Sequence, residues 1–598
     1  MNRLEITMKE HILQLPTGKQ TFKAFIKGNY YFVDKTKYIK SVFQDDSSQV
    51  LLITRPRRFG KTLTMSMFEA FLSLNYDDPN DLSEHIELFK DKEIYKDKEF
   101  CDNFMGKYPV LSISLSRVYG NTFEIAFERL ADLINNLASN YSFLMESEAL
   151  SKDDKYKLSC LLDSKTLAEP KSLVAVGNSL FNLAQFLYKH FKQQCIVLID
   201  EYDVPLAKAA NQNYYKDMRD LISSMFGGVL KDGEKFVKKA VVTGCLRVAK
   251  ESIFTGVNNF KVNTIFSSRS ALSTIIGFTK EDTESMLDYY NLSKYKALVQ
   301  ENYDGYNFNN HEMYCSWDVV SFCDDAIQND DGNITANCYW YHTGSTDVIR
   351  DFLGFISSDD ADSMQTLVDG GSIKKNIHVN MNHEDLKDHD SDDFWSLLAY
   401  TGYLTPAKGA IFDIDNEPID LVIPNNSILK AFRKNILEYF SKDKAQLAKA
   451  NDIIKAIFDG KADDLKLALD SLLKGFISVR DFSSNDPKES YYQGFLNGVF
   501  SSQKDYLENY ASNKELGDGY ADITFTSTDE KTAVIIEIKQ TDNKFQKFKV
   551  AKLALEQIEH KDYYQNYLDY DAVKNILCYG ICFSKKSCAV EFKNIKKN

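Results

Sequence analysis

Long apolar runs are missing from this chain, and so are most residues that punctuate or cross-link a structure. No uninterrupted apolar stretch nears the ~20 residues that a membrane-crossing helix needs. Only 10 prolines and 27 glycines occur among 598 residues, too few for a collagenous or low-complexity protein. The 10 cysteines stand singly. Cys195 and Cys245 fall at the edges of expected strands, and Cys578 and Cys582 have no matching second pair for zinc. Reduced, buried thiols are expected, as in the cytoplasm. The 9 histidines form no metal-ligand spacing. Positive charge is also short: a net charge of −14 argues against coating nucleic acid non-specifically and leaves only local basic patches for such contact. Charges scattered through MNRLEITMKEHILQLPTG leave no apolar leader core, so no secretory signal is expected.

Two segments stand out against this background. LLITRPRRFGKT (51–62) is an apolar run ending in Gly60-Lys61-Thr62, which can set backbone N–H groups and an ammonium on β/γ-phosphates and a hydroxyl on Mg²⁺. IVLIDEYD (196–203) is a second apolar strand that delivers Asp200 to a metal and Glu201 to an attacking water. Together they predict a triphosphate site. The loop departs from G-x-x-x-x-G-K-[ST]: Arg55 holds the opening glycine position, and Pro56, Arg57 and Arg58 follow. That predicts a more basic, stiffer loop, with Pro56 fixing one φ. The plain alternative is a basic strand-to-helix turn without a ligand.

Periodicity predicts a strand at 30–33, a helix capped near Asp34, a strand at 50–54 and a helix at 61–75. Strands at 110–115, 195–200 and 240–244 follow, with helices at 121–141 and 172–192 between them. Strands alternating with helices mean a parallel sheet covered on both faces, with ligands at the carboxyl ends of the strands. Lys61, Asp200 and Thr243 all fall there. From about 281 to 475 the pattern is mainly helical. The last stretch predicts a helix at 489–510, strands at 521–527 and 532–538, a helix at 545–568 and a strand at 575–583, an α/β module.

That module carries a second acidic signature, GDGYADITFTSTDEKTAVIIEIKQT. Asp522 begins one strand, while Glu537 and Lys539 share a face of the next because strand side chains alternate. Two carboxylates on adjacent strands can hold Mg²⁺, and a neighbouring lysine can orient water or offset developing charge on phosphorus. Alternating charges on an exposed hairpin would give the same pattern. Against that, an acid and a base ending an apolar strand are costly to bury without a partner. The helix at 554–564 offers Gln557 to the same pocket, and Glu489 opens an upstream helix. Lys539, Lys544, Lys547, Lys549 and Lys552 form a local basic patch.

These residues resemble, nearly end to end, a bacterial family of AAA-ATPase-like proteins fused to a C-terminal PD-(D/E)XK nuclease domain. FVDKTKYIK (32–40), TRPRRFGKTLTMSM (54–67), IVLIDEYDVPL (196–206) and VVTGCLRVAKESIFTGVNNF (241–260) resemble its first part. YDGYNF (303–308), YWYHTGSTD (339–347) and TGYLT (401–405) resemble its middle signatures. ESYYQGFLNG (489–498), ADITF, IIEIK and ALEQI resemble its nuclease end. Tyr520 stands where many such nucleases carry an arginine.

The resemblance implies an α/β chain: a P-loop NTPase domain at 1–280, a mainly helical middle at 281–475 and a restriction-endonuclease-like domain at 476–598. It implies ATP and Mg²⁺ as cofactors. Arg58, Gly60, Lys61, Thr62, Leu63, Asp200, Thr243 and Arg247 would bind nucleotide, with Thr62 and Asp200 on the metal and Glu201 catalytic. Glu489, Asp522, Glu537, Lys539 and Gln557 would form the nuclease site, with Asp522 and Glu537 on its metal. Expected partners are nucleic acid, DNA before RNA, and no membrane; a homo-oligomer stays open. Defence against foreign DNA or mobile-element maintenance is the expected setting. The alternative is a nucleotide-dependent switch whose nuclease fold binds without cutting.

Overall fold

The computed structural model describes residues 13–210, 212–247, 254, 260–267, 271–328, 334–339, 358–368, 370–378, 390–410, 418–432, 444–476, 492–493, 496, 499–500, 507–584 and 587–596. The chain divides into two compact units: Met1–His342 with Lys374–Ile428, and Thr343–Ile373 with Leu429–Asn598.

The first unit is built on five parallel strands: β1 (Val50–Thr54), β2 (Val110–Ser114), β3 (Cys195–Asp200), β4 (Val237–Gly244) and β5 (Phe260–Asn263), in spatial order 2-3-4-1-5. Every residue of β1 and β3 is buried, as a parallel sheet covered on both faces requires. Helices α1 (Lys61–Leu72), α2 (Phe123–Ser139), α3 (Ser179–Phe191) and α4 (Tyr215–Leu230) connect the strands. Leu130, Leu183 and Met218 from the last three share a core with Val197 and Val242 of the sheet. The order places β4 between the strand carrying the glycine-lysine loop and the strand carrying the acidic pair, so their carboxyl ends meet across it.

The structure corrects three expectations here and adds one strand. Residues 30–33 form no strand, Tyr30 making one isolated bridge to Gln14. The helix at 61–75 ends at Leu72, because Ser73 is extended. The segment 172–192 is two helices that break at Asn178. Strand β5 was not foreseen. The middle residues of this unit supply α5 (Ser316–Gln328) and a hairpin of Tyr306–Phe308 with His311–Met313.

The second unit contains a mixed sheet: β6 (Leu507–Leu516), β7 (Gly519–Ser527), β8 (Thr532–Gln540), β9 (Asn575–Ser584) and β10 (Ser587–Lys596), in sequence order. β8 and β9 are parallel and the other neighbours antiparallel. Helix α6 (Lys547–His560) makes the crossover between β8 and β9. The opposite face carries Ile457, Leu469 and Tyr492 against Ile536, Ile538 and Ile581. Residues 507–510 belong to β6 and not to the helix expected at 489–510.

All 10 cysteines are free thiols. Among the described residues no helix is long and apolar enough to cross a membrane.

Candidate functional site

At the end of β1 the chain turns through the loop 55–60 into α1. Arg58 and Gly60 have φ of 69° and 101°, with Phe59 at negative φ between them. This alternation curls successive N–H groups toward one concave side, an anion-binding nest. The first N–H groups of α1, including those of Thr62 and Leu63, have no acceptor within the helix, and Gly60 offers no side chain to cap them. Lys61 is buried, its ammonium folded back on the carbonyls of Arg55 and Pro56 at 3.0 Å each and on Cys245 Sγ at 3.5 Å.

Asp200 ties the strand ends together. Its Oδ2 accepts from the Thr62 hydroxyl at 2.6 Å and its Oδ1 from the Thr243 hydroxyl at 2.5 Å. Glu201 follows with a left-handed φ of 52°, unusual for a residue with a long side chain. Burial raises its pKa and the charges of Asp200 and Asp203 add to this, while Lys61 and Arg57 oppose it. Hard carboxylate and hydroxyl oxygens beside a lysine and unpartnered helix N–H groups suit a magnesium-bound triphosphate. The charge of Arg247 acts on Tyr400 of helix Ser391–Thr401.

Arg55 does not make the loop more basic. It is fully buried and donates to the carbonyl oxygens of Thr54, Asn263, Leu272 and Ser273 and to Asn263 Oδ1, at 2.6–3.3 Å. Burial pulls its pKa down to about 9. The guanidinium also lies 5.2 Å from the centre of the Phe308 ring. A residue in the usual glycine position thus pins β1 to β5 and to the middle hairpin.

The middle residues hold the loop from outside. Ser316 Oγ donates to the Phe59 carbonyl at 2.8 Å and Trp317 N–H to the Arg58 carbonyl at 3.3 Å. With the carbonyls engaged on that side, the N–H groups turn toward the concave one. The Arg58 guanidinium lies 4.5 Å from the centre of the Trp317 ring, so it packs on the middle region. Phe59 meets Tyr306 and Phe308 at centroid distances of 4.9 and 5.2 Å. YDGYNF is therefore a turn with packed aromatics. Gly305 has φ of 89°, and a Cβ there would stand 1.9 Å from the Pro424 carbonyl oxygen.

In the second unit, the pairing of Ile523 with Ile536 sets Asp522 across from Glu537 one step further along β7 and β8. Asp522 Oδ2 accepts from the Ile538 N–H at 2.6 Å, and its carbonyl accepts from Gln493 Nε2 at 3.2 Å. Glu537 is buried; its Oε1 takes the Lys539 ammonium at 3.4 Å and a hydrogen bond from Gln557 Nε2. Gly580 is the register partner of Glu537 on β9. A Cβ at Gly580 would lie 2.2 Å from the Ala551 carbonyl oxygen and 2.4 Å from Leu555 N. The missing side chain lets α6 sit directly on the sheet and brings Gln557 to Glu537.

Two carboxylates suit Mg²⁺, which keeps several waters and takes further oxygens from a phosphate substrate. Among the described residues no group of three or more His, Cys, Asp or Glu could hold a metal, so substrate and solvent oxygens would complete the shell. Glu489 lies outside the described residues.

The sequence reading missed four contributors. Asp203 Oδ2 accepts from the N–H groups of Cys245 and Leu246, both at 2.9 Å, fixing the turn after β4. The second aspartate of IDEYD was its signal. Arg57 lies among Cys245, Asp203 and Glu201. Burial pulls its pKa down, but those groups more than offset this and the net shift is upward. Ser316 has no local signal, because its role depends on a contact made 257 residues away. Tyr563 receives a 3.4 Å contact from Gln557 Nε2 and donates to the Tyr520 carbonyl at 2.8 Å. Burial chiefly raises its pKa, with Glu537 and Asp522 adding to this.

Residues 16–254 match the family model described as a predicted AAA-ATPase, and residues 487–593 match that of the PD-(D/E)XK nuclease superfamily. The chain therefore carries an AAA-ATPase-like domain and a PD-(D/E)XK nuclease superfamily domain. It is similar to a protein of Azotobacter chroococcum mcd 1 named "Uncharacterized protein in vnfD 5'region". The two are 23% identical over 342 residues, which cover 57% of this chain and 56% of the relative. The match thus spans little more than half the length of either protein.

Proposed function

We propose that an AAA-ATPase-like domain and a PD-(D/E)XK domain on one chain make an ATP-regulated, Mg²⁺-dependent nuclease. The observation that carries this reading is the meeting of Asp522, Glu537, Lys539 and Gln557 at one place on β7, β8 and α6.

In the first unit, the N–H groups of Gly60 to Leu63 and the Lys61 ammonium bind the β- and γ-phosphates. Lys61 leaves the carbonyls of Arg55 and Pro56 to do so. Thr62 and Asp200 would hold a magnesium ion, which would shield phosphate charge when bound. Glu201, its pKa raised by burial, takes the proton from the attacking water. Thr243 orients Asp200.

In the second unit, Asp522 and Glu537 would hold the metal, which when bound would polarise the scissile phosphate. Lys539 orients the attacking water and offsets charge growing on the phosphoryl oxygens. Gln557 fixes the rotamer of Glu537. Nucleotide occupancy reaches the middle region through the loop, since Ser316, Trp317 and Tyr306 all contact it.

The test is cleavage of plasmid DNA by the wild type and Lys61→Ala, each with and without ATP. Regulation predicts that ATP changes the wild-type rate and leaves Lys61→Ala unchanged. Equal cutting in all four conditions removes nucleotide control. A nucleotide-dependent switch without hydrolysis would bind nucleic acid equally before and after Glu537→Ala and cut in neither case.

A further inference from the structure

Large apolar side chains on α6 and the turn before it face solvent, although the helix belongs to a well-packed domain. Phe545 is 85% exposed, Phe548 57% and Leu553 49%. Exposed aromatics in contiguous patches mark interaction surfaces. Ala551, Ala554 and Ile558 supply the buried face of the same helix, so the phenylalanines are not needed for packing.

Their order along the helix is informative. Lys549, Leu553 and Gln557 recur every four residues along α6, the spacing that forms one ridge on a helix surface, and Phe545 stands in the turn two residues before the helix begins. Eight residues of rise make this ridge about 12 Å long. It ends at Gln557, whose amide holds Glu537. Lys549 on the ridge and Lys552 beside it are exposed, Lys552 lying 3.9 Å from Glu556 Oε1, and the Lys544 ammonium lies 5.2 Å from the centre of the Phe545 ring. Lysines concentrate here in a chain whose net charge is −14, so the patch is matched to an anion.

We infer that this ridge is a track for single-stranded nucleic acid feeding the Glu537 site. The inference rests on the nuclease reading and names the substrate class of that site. Unpaired bases offer ring faces to Phe545 and Phe548, and the lysines follow the phosphates. In a duplex those faces are already stacked on one another and only the backbone would meet the ridge. The surface therefore favours unpaired strands or frayed ends over intact duplex.

The test measures fluorescence anisotropy of labelled oligonucleotides with the full chain carrying Glu537→Gln, so that binding is read without cutting. Probes are single-stranded DNA, the same sequence as RNA, and the DNA duplex. Single strands should bind at least about tenfold more tightly than duplex, and Phe545→Ala with Phe548→Ala should remove about tenfold of that affinity. The DNA and RNA arms decide which sugar is preferred. Lys549→Ala should reduce the salt slope for single strands by roughly 0.7. Equal affinity for duplex and single strand, or unchanged affinity in the double phenylalanine variant, overturns the inference. So does a variant that loses only self-association in sedimentation. Because both rings are exposed, melting curves of the variant should match the parent. If the wild type cuts nothing yet binds single strands through the phenylalanines, the track stands and the cleavage reading falls. If it cuts while the phenylalanine variant binds and cuts single strands like the wild type, the track falls alone.

Discussion

The hydroxyl of Thr62 donates to Asp200 Oδ2 at 2.6 Å, joining residues 138 positions apart in sequence. Thr62 stands in the first turn of α1, just after β1, and Asp200 ends β3; β4 lies between those two strands, and its own Thr243 donates to the other oxygen of the carboxylate. A single aspartate thus gathers the phosphate-loop helix, the acidic strand and the strand between them. Under the proposed function each of these serves a metal-bound triphosphate, and the residues for binding and for hydrolysis are then distinct.

Lys61→Ala should weaken ATP binding at least about tenfold, since it removes the only loop ammonium that the proposal assigns to the phosphates. Glu201→Gln should leave the affinity close to wild type and slow hydrolysis about 10²-fold or more, the usual size of a lost general base. Titration calorimetry and phosphate release read the two effects. A Glu201→Gln protein that hydrolyses ATP normally would remove Glu201 from the chemistry.

Restoring the common loop glycine should harm this protein. Arg55→Gly strips donors from five buried acceptor oxygens and empties the volume beside Phe308. A loss of about 3 kcal/mol or more is expected, visible in urea unfolding. Unchanged stability would mean that Arg55 is a passive filler.

Gly580→Ala should separate the two activities. Its methyl group would push α6 from β9 and draw Gln557 away from Glu537. Nucleic-acid cleavage should fall sharply while ATP hydrolysis by the first unit stays level. Equal losses in both assays would point to general misfolding.

Asp318 gives the stability a pH dependence. Burial lifts its pKa from 3.8 to about 7, while Cys315 and Arg58 oppose the rise. The raised value means that the native state holds the proton more tightly than the unfolded chain. Its contribution is therefore complete below pH 3.8 and is lost as pH climbs through about 7. Asp318→Asn should flatten that part of the stability-against-pH curve. A wild-type curve already flat between those limits would show that Asp318 is ionised in the fold.

Local pattern made much of this architecture readable. Strand β1 ends at Thr54 and β3 spans 195–200 as their apolar runs indicate, because a buried parallel strand must be apolar on both faces. Glu537 and Lys539 share a face as period-two alternation requires. What escaped depends on distant partners. β6, with the polar run NYASNK, is a strand because β7 pairs with it, and no apolar period marks it. Arg55 looks like added loop charge until Asn263, Leu272 and Ser273 surround it. Ser316 becomes a loop clamp only when α5 is placed on Phe59.

The most direct measurement is Mg²⁺-dependent cleavage of end-labelled oligonucleotides by wild type and Glu537→Gln, purified in parallel and assayed with and without EDTA. The wild type should cut only with metal present, and Glu537→Gln should be at least about 10³-fold slower, since it loses one of the two metal carboxylates. Cutting that survives both EDTA and Glu537→Gln would contradict the assignment of Asp522, Glu537, Lys539 and Gln557 as a metal-dependent nuclease site.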